Sequence, residues 1–227
     1  MSSLATHLIL VLVTIYVSFT NGAPKSSFFI YRYDLEGIKN RPVTRQVHPM
    51  ILARRSLREM TGQSIKDEEL MSLFEAARWA PSHFNTQTWR FVYAKRGSKY
   101  WDQYLDALSP GNRKWAKNAG VLMVVLSKLT NNYKGRKEPV PSHSFDTGSA
   151  WMAMALEGTA RGLVVHAMGG FDPKKAADMI GLKSKEYRIE AMIAVGIRDK
   201  SVGPEKTTQR NEVEKFISEG IFTEKLK

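Results

Sequence analysis

Residues 80–91 read Ala80-Pro81-Ser82-His83-Phe84-Asn85-Thr86-Gln87-Thr88-Trp89-Arg90-Phe91, and the hydrophobic period changes across them. Upstream, over residues 64–79, Leu70, Leu73, Phe74 and Ala77 recur on one helical face, with Ser64 and Asp67 as capping side chains and Pro81 as the stop. Downstream, residues 89–94 are rich in aromatic and β-branched side chains and predict a strand that Gly97 closes. The stretch is therefore a polar loop handing a helix over to a strand.

The rest of the chain alternates in the same way. Val47, Met50 and Ile51 predict a first helix over residues 44–55, and residues 98–118 predict two helices, carrying Trp101, Tyr104 and Trp115, around a Ser109-Pro110-Gly111 break. Residues 121–126 are continuously apolar, as a strand covered on both faces must be. Residues 129–143 are polar, contain Gly135, Pro139 and Pro141, and predict a mobile loop. Residues 149–160 are apolar or small on nearly every side. A helix of that kind is buried, naturally between two subunits, and it is too short to cross a membrane. Strands over 163–168 and 189–197 flank a short helix over 173–180 that starts at Pro173. After Gly203-Pro204, Val213, Phe216, Ile217 and Ile221 share a helical face that must dock on the chain's own core or on a partner. This order implies an α/β or α+β layer structure around one sheet.

With 227 residues, 43% of them hydrophobic, the chain can bury one substantial core. Its net charge of +12 calls for an anionic partner. Nucleic acid is not the expected one, because the basic residues are dispersed and the densest clusters, at 54–58 and 134–137, are short. The absence of cysteine excludes disulfides, zinc-thiolate sites, iron-sulfur clusters and thiol nucleophiles. His48, His83, His143 and His166 show no metal-ligand spacing, and the His143–Asp146 pair lacks a nucleophile-elbow serine.

Residues 8–19 form an apolar run, broken only by Thr14 and Ser18, and the small residues Gly22 and Ala23 follow it. This reads as a signal peptide over residues 1–23, directing the chain to secretion or an endomembrane lumen. A buried helix or an uncleaved anchor is the rival, since residues 1–7 carry no Lys or Arg; without a working leader the chain is cytoplasmic. Residues 24–43 read as a linker or extended arm, and residues 44–227 as one domain.

Three clusters carry chemical meaning. Arg54, Arg55, Ser56 and Arg58 offer forked donors and a hydroxyl suited to a phosphate, or else complement the negative end of a helix. Asn85 and Gln87 both donate and accept, which suits the imide edge of a flavin as well as the capping of their own loop. Gly169 and Gly170 allow bare backbone to approach a flat ligand, or make a tight turn.

Arg-Arg-Ser-X-Arg at 54–58, Ala-Pro-Ser-X-X-Asn-X-Gln-X-Trp-X-Phe at 80–91, Asn112-X-X-Trp115 and Gly169-Gly170 together resemble, in order and spacing, the FMN-dependent nitroreductase family over about residues 44–220. The resemblance implies an α+β sandwich, with a central, mostly antiparallel sheet flanked by helices, in an intertwined homodimer with two FMN sites at the subunit interface. It implies that Arg54 and Ser56, with Arg210, hold the FMN phosphate, and that Arg58 and Asn85 lie beside the pyrimidine side of the ring. The Gly169 and Gly170 amides would face flavin N5 and O4, with Arg198 a weaker phosphate candidate. Arg55, Pro81, Ser82 and Gln87 complete the implied cofactor-binding set, and no residue is assigned a catalytic or metal-binding role. The implied activity passes hydride from NADH or NADPH to a small oxidised acceptor such as a nitroaromatic or quinone, with the cofactor doing the chemistry.

Two positions depart from the family: Thr88 and Gly120 stand where proline is usual, which implies a less rigid pocket loop and strand start. The iodotyrosine deiodinases carry N-terminal leaders but lack the Asn85 and Gln87 pairing. From the charge and the leader, the rival functions are a basic secreted polyanion-binding protein and a flavin store without turnover.

Overall fold

A computed structural model of the chain describes residues 38, 41, 43–203, 205, 208–222 and 224. The leader expected over residues 1–23 lies outside them, as does most of the 24–43 arm. The elements in chain order are α1 (Pro49–Ala53), α2 (Asp67–Arg78), β1 (Trp89–Lys95), α3 (Trp101–Ala107), α4 (Pro110–Ala116), β2 (Val121–Lys128), β3 (Thr130–Tyr133), β4 (Arg136–Pro139), α5 (His143–Ala160), β5 (Leu163–Met168), α6 (Pro173–Met179) and β6 (Tyr187–Ile197).

Four strands form one antiparallel sheet in the order β1-β2-β6-β5, with Trp89 opposite Ser127, Val121 opposite Val195 and Met168 opposite Met192. Alternation along the strands sorts their side chains between two cores. Leu122, Val124, Leu126, Val164, Met168, Met192 and Ala194 face Trp101, Tyr104, Leu108 and Ala176 on one side. Val121, Met123, Val125, Val165, Ile193 and Val195 face Leu70, Leu73 and Ala77 of α2 and Ala150, Met154 and Ala155 of α5 on the other. The continuous apolar run of β2 is thus explained, since seven of its eight residues are buried. This is the expected α+β sandwich. Helix α5 lies close on the sheet because Gly158 has no side chain; a Cβ there would come within 2.5 Å of Val165 Cγ2.

Several expectations require correction. The first helix covers only Pro49–Ala53, because Arg54 turns extended at ψ 124 and Pro49 sits in its first turn. Neither Ser64 nor Asp67 caps α2 through its side chain; Asp67, Glu68 and Glu69 occupy the first turn, where negative charge suits the helix dipole. Residues 129–143 are not a structureless loop: β3 and β4 pair as a hairpin with Tyr133 opposite Arg136, turning at Lys134 and Gly135, whose φ values of 50° and 78° match a type I′ turn. Helix α5 then begins at His143, six residues before the apolar run that predicts it.

The C-terminal segment forms one short 3-10 turn, Val213–Lys215, in place of the expected helix. Phe216, Ile217, Ile221 and Phe222 are 61%, 52%, 80% and 88% exposed, so among the described residues this apolar stripe is not buried in either core. Among the described residues, no helix is long and apolar enough to cross a membrane.

Candidate cofactor site

Beyond α1 the chain runs extended, and alternation decides which side chains share a side. Arg54 is half-buried and Ser56 and Arg58 are exposed, whereas Arg55 and Leu57 are buried. Arg54, Ser56 and Arg58 therefore share the outer side, with Arg54 donating to Ser56 Oγ at 3.4 Å, and Arg55 points the other way. The segment is tied down by its backbone: His166 Nδ1–H donates to the Leu57 carbonyl at 2.8 Å, and Glu205 Oε1 accepts the amides of Arg58 and Glu59 at 2.6 and 3.0 Å. Arg198 pairs through its backbone with Met60 at the far end of this segment.

Cations crowd the near end. Burial, and then the charge of Arg210, hold the Arg54 guanidinium below its usual pKa. Burial does the same to Arg41, followed by Arg210, Arg54 and Arg55. Arg210 is thus brought from the C-terminal segment to the first arginine cluster. Like charges at close range raise the free energy unless an anion lies among them.

The Ser82–Thr88 loop is built for shape. Ser82 Oγ accepts the Gln87 amide at 3.0 Å, Gln87 Nε2 donates to the Asn85 carbonyl at 3.1 Å, and Asp146 Oδ2 accepts the His83 amide at 2.9 Å. Phe84, Asn85 and Gln87 all hold positive φ, at 45°, 56° and 48°. Non-glycine residues there cost free energy and are found where a site needs a particular backbone. The Gln87 amide serves the loop itself, as the capping alternative requires. The Asn85 side chain is exposed and has no hydrogen bond among the described residues.

Thr88, standing where the family usually has proline, does not loosen the loop. Its buried hydroxyl donates to the His143 carbonyl at 3.2 Å and lies 3.2 Å from Thr147 Oγ1. Under it, Glu190 Oε1 accepts from Ser127 and Ser144, each at 2.6 Å, and Ser127 Oγ lies 2.8 Å from His143 Nδ1. Nothing in residue type marks Thr147, Ser127, Ser144 and Glu190 as supports of this loop, and the spacing of His143 and Asp146 suggests only a triad fragment. Gly120 is likewise held rigidly, since a Cβ there would lie 2.7 Å from the Gln63 carbonyl oxygen and 2.9 Å from Ile65 Cγ1.

Gly169 and Gly170 follow β5 and are exposed. The Gly170 carbonyl accepts from the Ser109 amide at 3.0 Å and from Asn112 Nδ2 at 2.9 Å. A Cβ on Gly170 would meet Asn112 Nδ2 and Ser109 Oγ, both at 2.8 Å, while one on Gly169 would meet nothing within 4 Å. A side chain at Gly170 would displace these two side-chain ends, and Asn112 holds the turn through the Gly170 carbonyl. Trp115 packs on His166 with ring centroids 4.6 Å apart, behind the arginine segment.

The sheet order decides what one chain brings together. Gly169, Gly170 and the Leu57–His166 contact belong to the β5 edge, whereas the Ser82–Thr88 loop leads into β1 at the opposite edge. Three strand spacings, roughly 14 Å, separate the edges. Within one protomer the Leu57 segment and the glycine turn thus share the β5 edge, while Asn85 lies on the loop at the β1 edge.

Residues 51–110 and 98–197 match the model of the Nitroreductase family. A solved structure described as an oxidoreductase containing FMN is 36% identical, with a TM-score of 0.76 over 81% of this chain and 96% of that one. The "Oxygen-insensitive NADPH nitroreductase" of Helicobacter pylori is 28% identical over 166 residues, which cover 57% of this chain and 76% of the relative. A nitroreductase-like protein from Desulfovibrio desulfuricans, solved in complex with FMN, shares the fold at 23% identity, with a TM-score of 0.62 over 78% of this chain and all of that one. The paired arginines, the strained polar loop and the glycine turn on a four-stranded antiparallel sheet sit within that match, and the chain belongs to the Nitroreductase family.

Proposed function

We propose that the chain is an FMN-dependent oxidoreductase, working as a homodimer, that transfers hydride from NADH or NADPH to a small oxidised acceptor such as a nitroaromatic or quinone. The observation that carries this reading is the crowding of Arg54 and Arg210, with Arg41, beside the Ser56 hydroxyl. Such a set fits a phosphomonoester, whose oxygens accept several charge-assisted hydrogen bonds. FMN carries that group and, when bound, supplies hydride acceptance and donation at its ring.

In this reading Arg54, Ser56 and Arg210 hold the phosphate, Arg58 lies toward the ring, and the exposed Gly169–Gly170 backbone borders it. Asn85 reaches the ring from the partner protomer, which the opposite-edge placement of its loop favours. The exposed apolar stripe of α5, Phe145 and Met152, and the uncovered tail at Phe216, Ile217, Ile221 and Phe222 support two copies embracing one another. With a nitroaromatic the two-electron balance is R–NO2 + NAD(P)H + H+ → R–NO + NAD(P)+ + H2O. No side chain needs to act as a nucleophile; the chain's task is to bind, orient and stabilise charge.

The test is a visible spectrum of purified protein offered FMN, before and after anaerobic NADPH or NADH. Bound flavin that bleaches on reductant and recovers with a nitroaromatic is the expected result. Protein that stays colourless overturns the reading, and flavin that binds without bleaching leaves a store and not an enzyme.

A further inference from the structure

The strained loop exposes an aromatic surface that the cofactor reading does not use. Phe84 is 80% exposed at a φ of 45°, a conformation that a bulky residue holds only where its surroundings impose it. Its ring meets His83 edge-on at 4.6 Å and stacks with Tyr133, centroids 6.2 Å apart and planes at 29°. Tyr133 comes from the β3–β4 hairpin, so two separate segments converge on this surface.

The hairpin adds charge in register. Arg136 lies directly opposite Tyr133, and cross-strand partners project from the same face. Lys134 Nζ sits 5.2 Å from the Tyr133 ring centroid. Among the described residues neither Lys134 nor Arg136 has an acidic partner. Lys137, on the other face, pairs with Glu186, while Glu138, opposite Asn131, is the acid sharing the Arg136 face. The result is a two-ring ledge with two cations at its outer end, beside the loop that bears Asn85.

We propose that Phe84, Tyr133, Lys134 and Arg136 form an acceptor-recruiting ledge that favours flat aromatic compounds bearing a carboxylate over their neutral counterparts. Phe84 and Tyr133 already touch, so the ligand ring stacks on an outer face of the pair and not between them. Its carboxylate takes the forked Arg136 guanidinium, with the Lys134 ammonium adding charge at close range. A neutral ring gains only the stacking. This names the acceptor class for the oxidoreductase reading and rests on that reading for its redox role, but binding on the ledge is measurable without turnover.

The test is equilibrium dialysis of purified FMN-loaded protein against 4-nitrobenzoate and the neutral 4-nitrobenzamide. The wild type is expected to prefer the carboxylate by about fivefold, the yield of two solvent-exposed charge contacts. High salt should erase that preference. Arg136→Gln should cut it to about twofold, and Lys134→Gln with Arg136→Gln should abolish it while amide binding stays constant. Phe84→Leu should weaken both ligands together. Equal binding of the two compounds by the wild type, or a preference that survives the double substitution, overturns the ledge. Anaerobic bleaching by NADPH, read on the same samples, separates the two failures. Loss of bleaching in the wild type strikes at the oxidoreductase reading, whereas bleaching with no carboxylate preference strikes at the ledge alone.

Discussion

Replacing Arg210 by glutamine is expected to weaken FMN binding while strengthening the flavin-free fold, two effects of opposite sign from one charge. Arg210 acts on both Arg54 and Arg41. Each repulsion between two such solvent-facing unit charges costs on the order of 1 kcal/mol. Solvent exposure and salt reduce the gain from relieving both pairs to about 0.5–1 kcal/mol. The Arg210 hydrogen bonds to Thr208 and Gln209 are local and exposed, and a glutamine amide can replace part of them. Against this, a charge-assisted contact to phosphate contributes about 1.5–3 kcal/mol, so FMN affinity should fall by about tenfold or more. Calorimetric titration of FMN into flavin-free protein reads the first effect, and urea denaturation of the same protein reads the second. Lys183→Gln, which removes one exposed charge elsewhere, is the control. If Arg210→Gln binds FMN as that control does, or loses stability without flavin, the arginines do not form one anion site.

Four further outcomes follow from the packing and the charges. Gly120→Ala should cost about 1–3 kcal/mol by overpacking against the Gln63 carbonyl and Ile65, and an unchanged urea midpoint would refute that. Thr88→Val, which strips the hydroxyl from the His143 carbonyl and Thr147, should cost about 1–2 kcal/mol in the same assay, whereas a merely flexible loop would lose nothing. Burial holds His166 below its usual value of 6.5, aided by Arg58 and Arg54 and opposed by the Leu57 carbonyl and Glu205. Both folded and unfolded states are then neutral well above pH 6.5. As pH falls from there toward the folded value, the unfolded chain binds the proton first, and stability should drop by up to about 1.4 kcal/mol per pH unit. His166→Gln should flatten that slope in a pH series of urea midpoints. Deleting residues 216–227 should shift sedimentation from dimer to monomer, and a dimer that survives would place the interface elsewhere.

The fold was legible where burial imposes a period. The continuous apolar run of β2 and the one-sided pattern of α2 announce a sheet covered on both faces, and the Ser109-Pro110-Gly111 break correctly separates α3 from α4. Where tertiary hydrogen bonds take over, the pattern falls silent. The hairpin of β3 and β4 is polar on both faces, and its turn uses Lys134, a residue with no usual preference for positive φ. The first turns of α5 carry Ser144, Asp146 and Thr147, which look like loop residues until the acceptors and donors they meet are known. The tail of residues 213–222 has a helical stripe but forms only one 3-10 turn, because a stripe forms a helix only against a surface, and among the described residues its large apolar side chains stay exposed. The arginine and glycine clusters were readable from residue type and order. The burial of Arg55 beside the exposed Ser56 is not legible from residue type, since it follows from the extended backbone after α1.

Thr88 shows how a departure from a family pattern can preserve its physical result. Proline limits a loop by locking one dihedral angle, whereas a buried threonine limits it by tying a hydroxyl to two fixed partners. That exchange requires a supporting layer, which Thr147, His143, Ser127, Ser144 and Glu190 supply beneath the loop. With its base held there, and Asp146 holding the His83 amide, the loop can sustain three left-handed residues in four positions. Their cost is offset by contacts lying wholly on the protein side, which leaves the outer faces of Phe84 and Asn85 for whatever binds. Rigidity in the buried layer and availability in the exposed one thus come from the same set of hydrogen bonds.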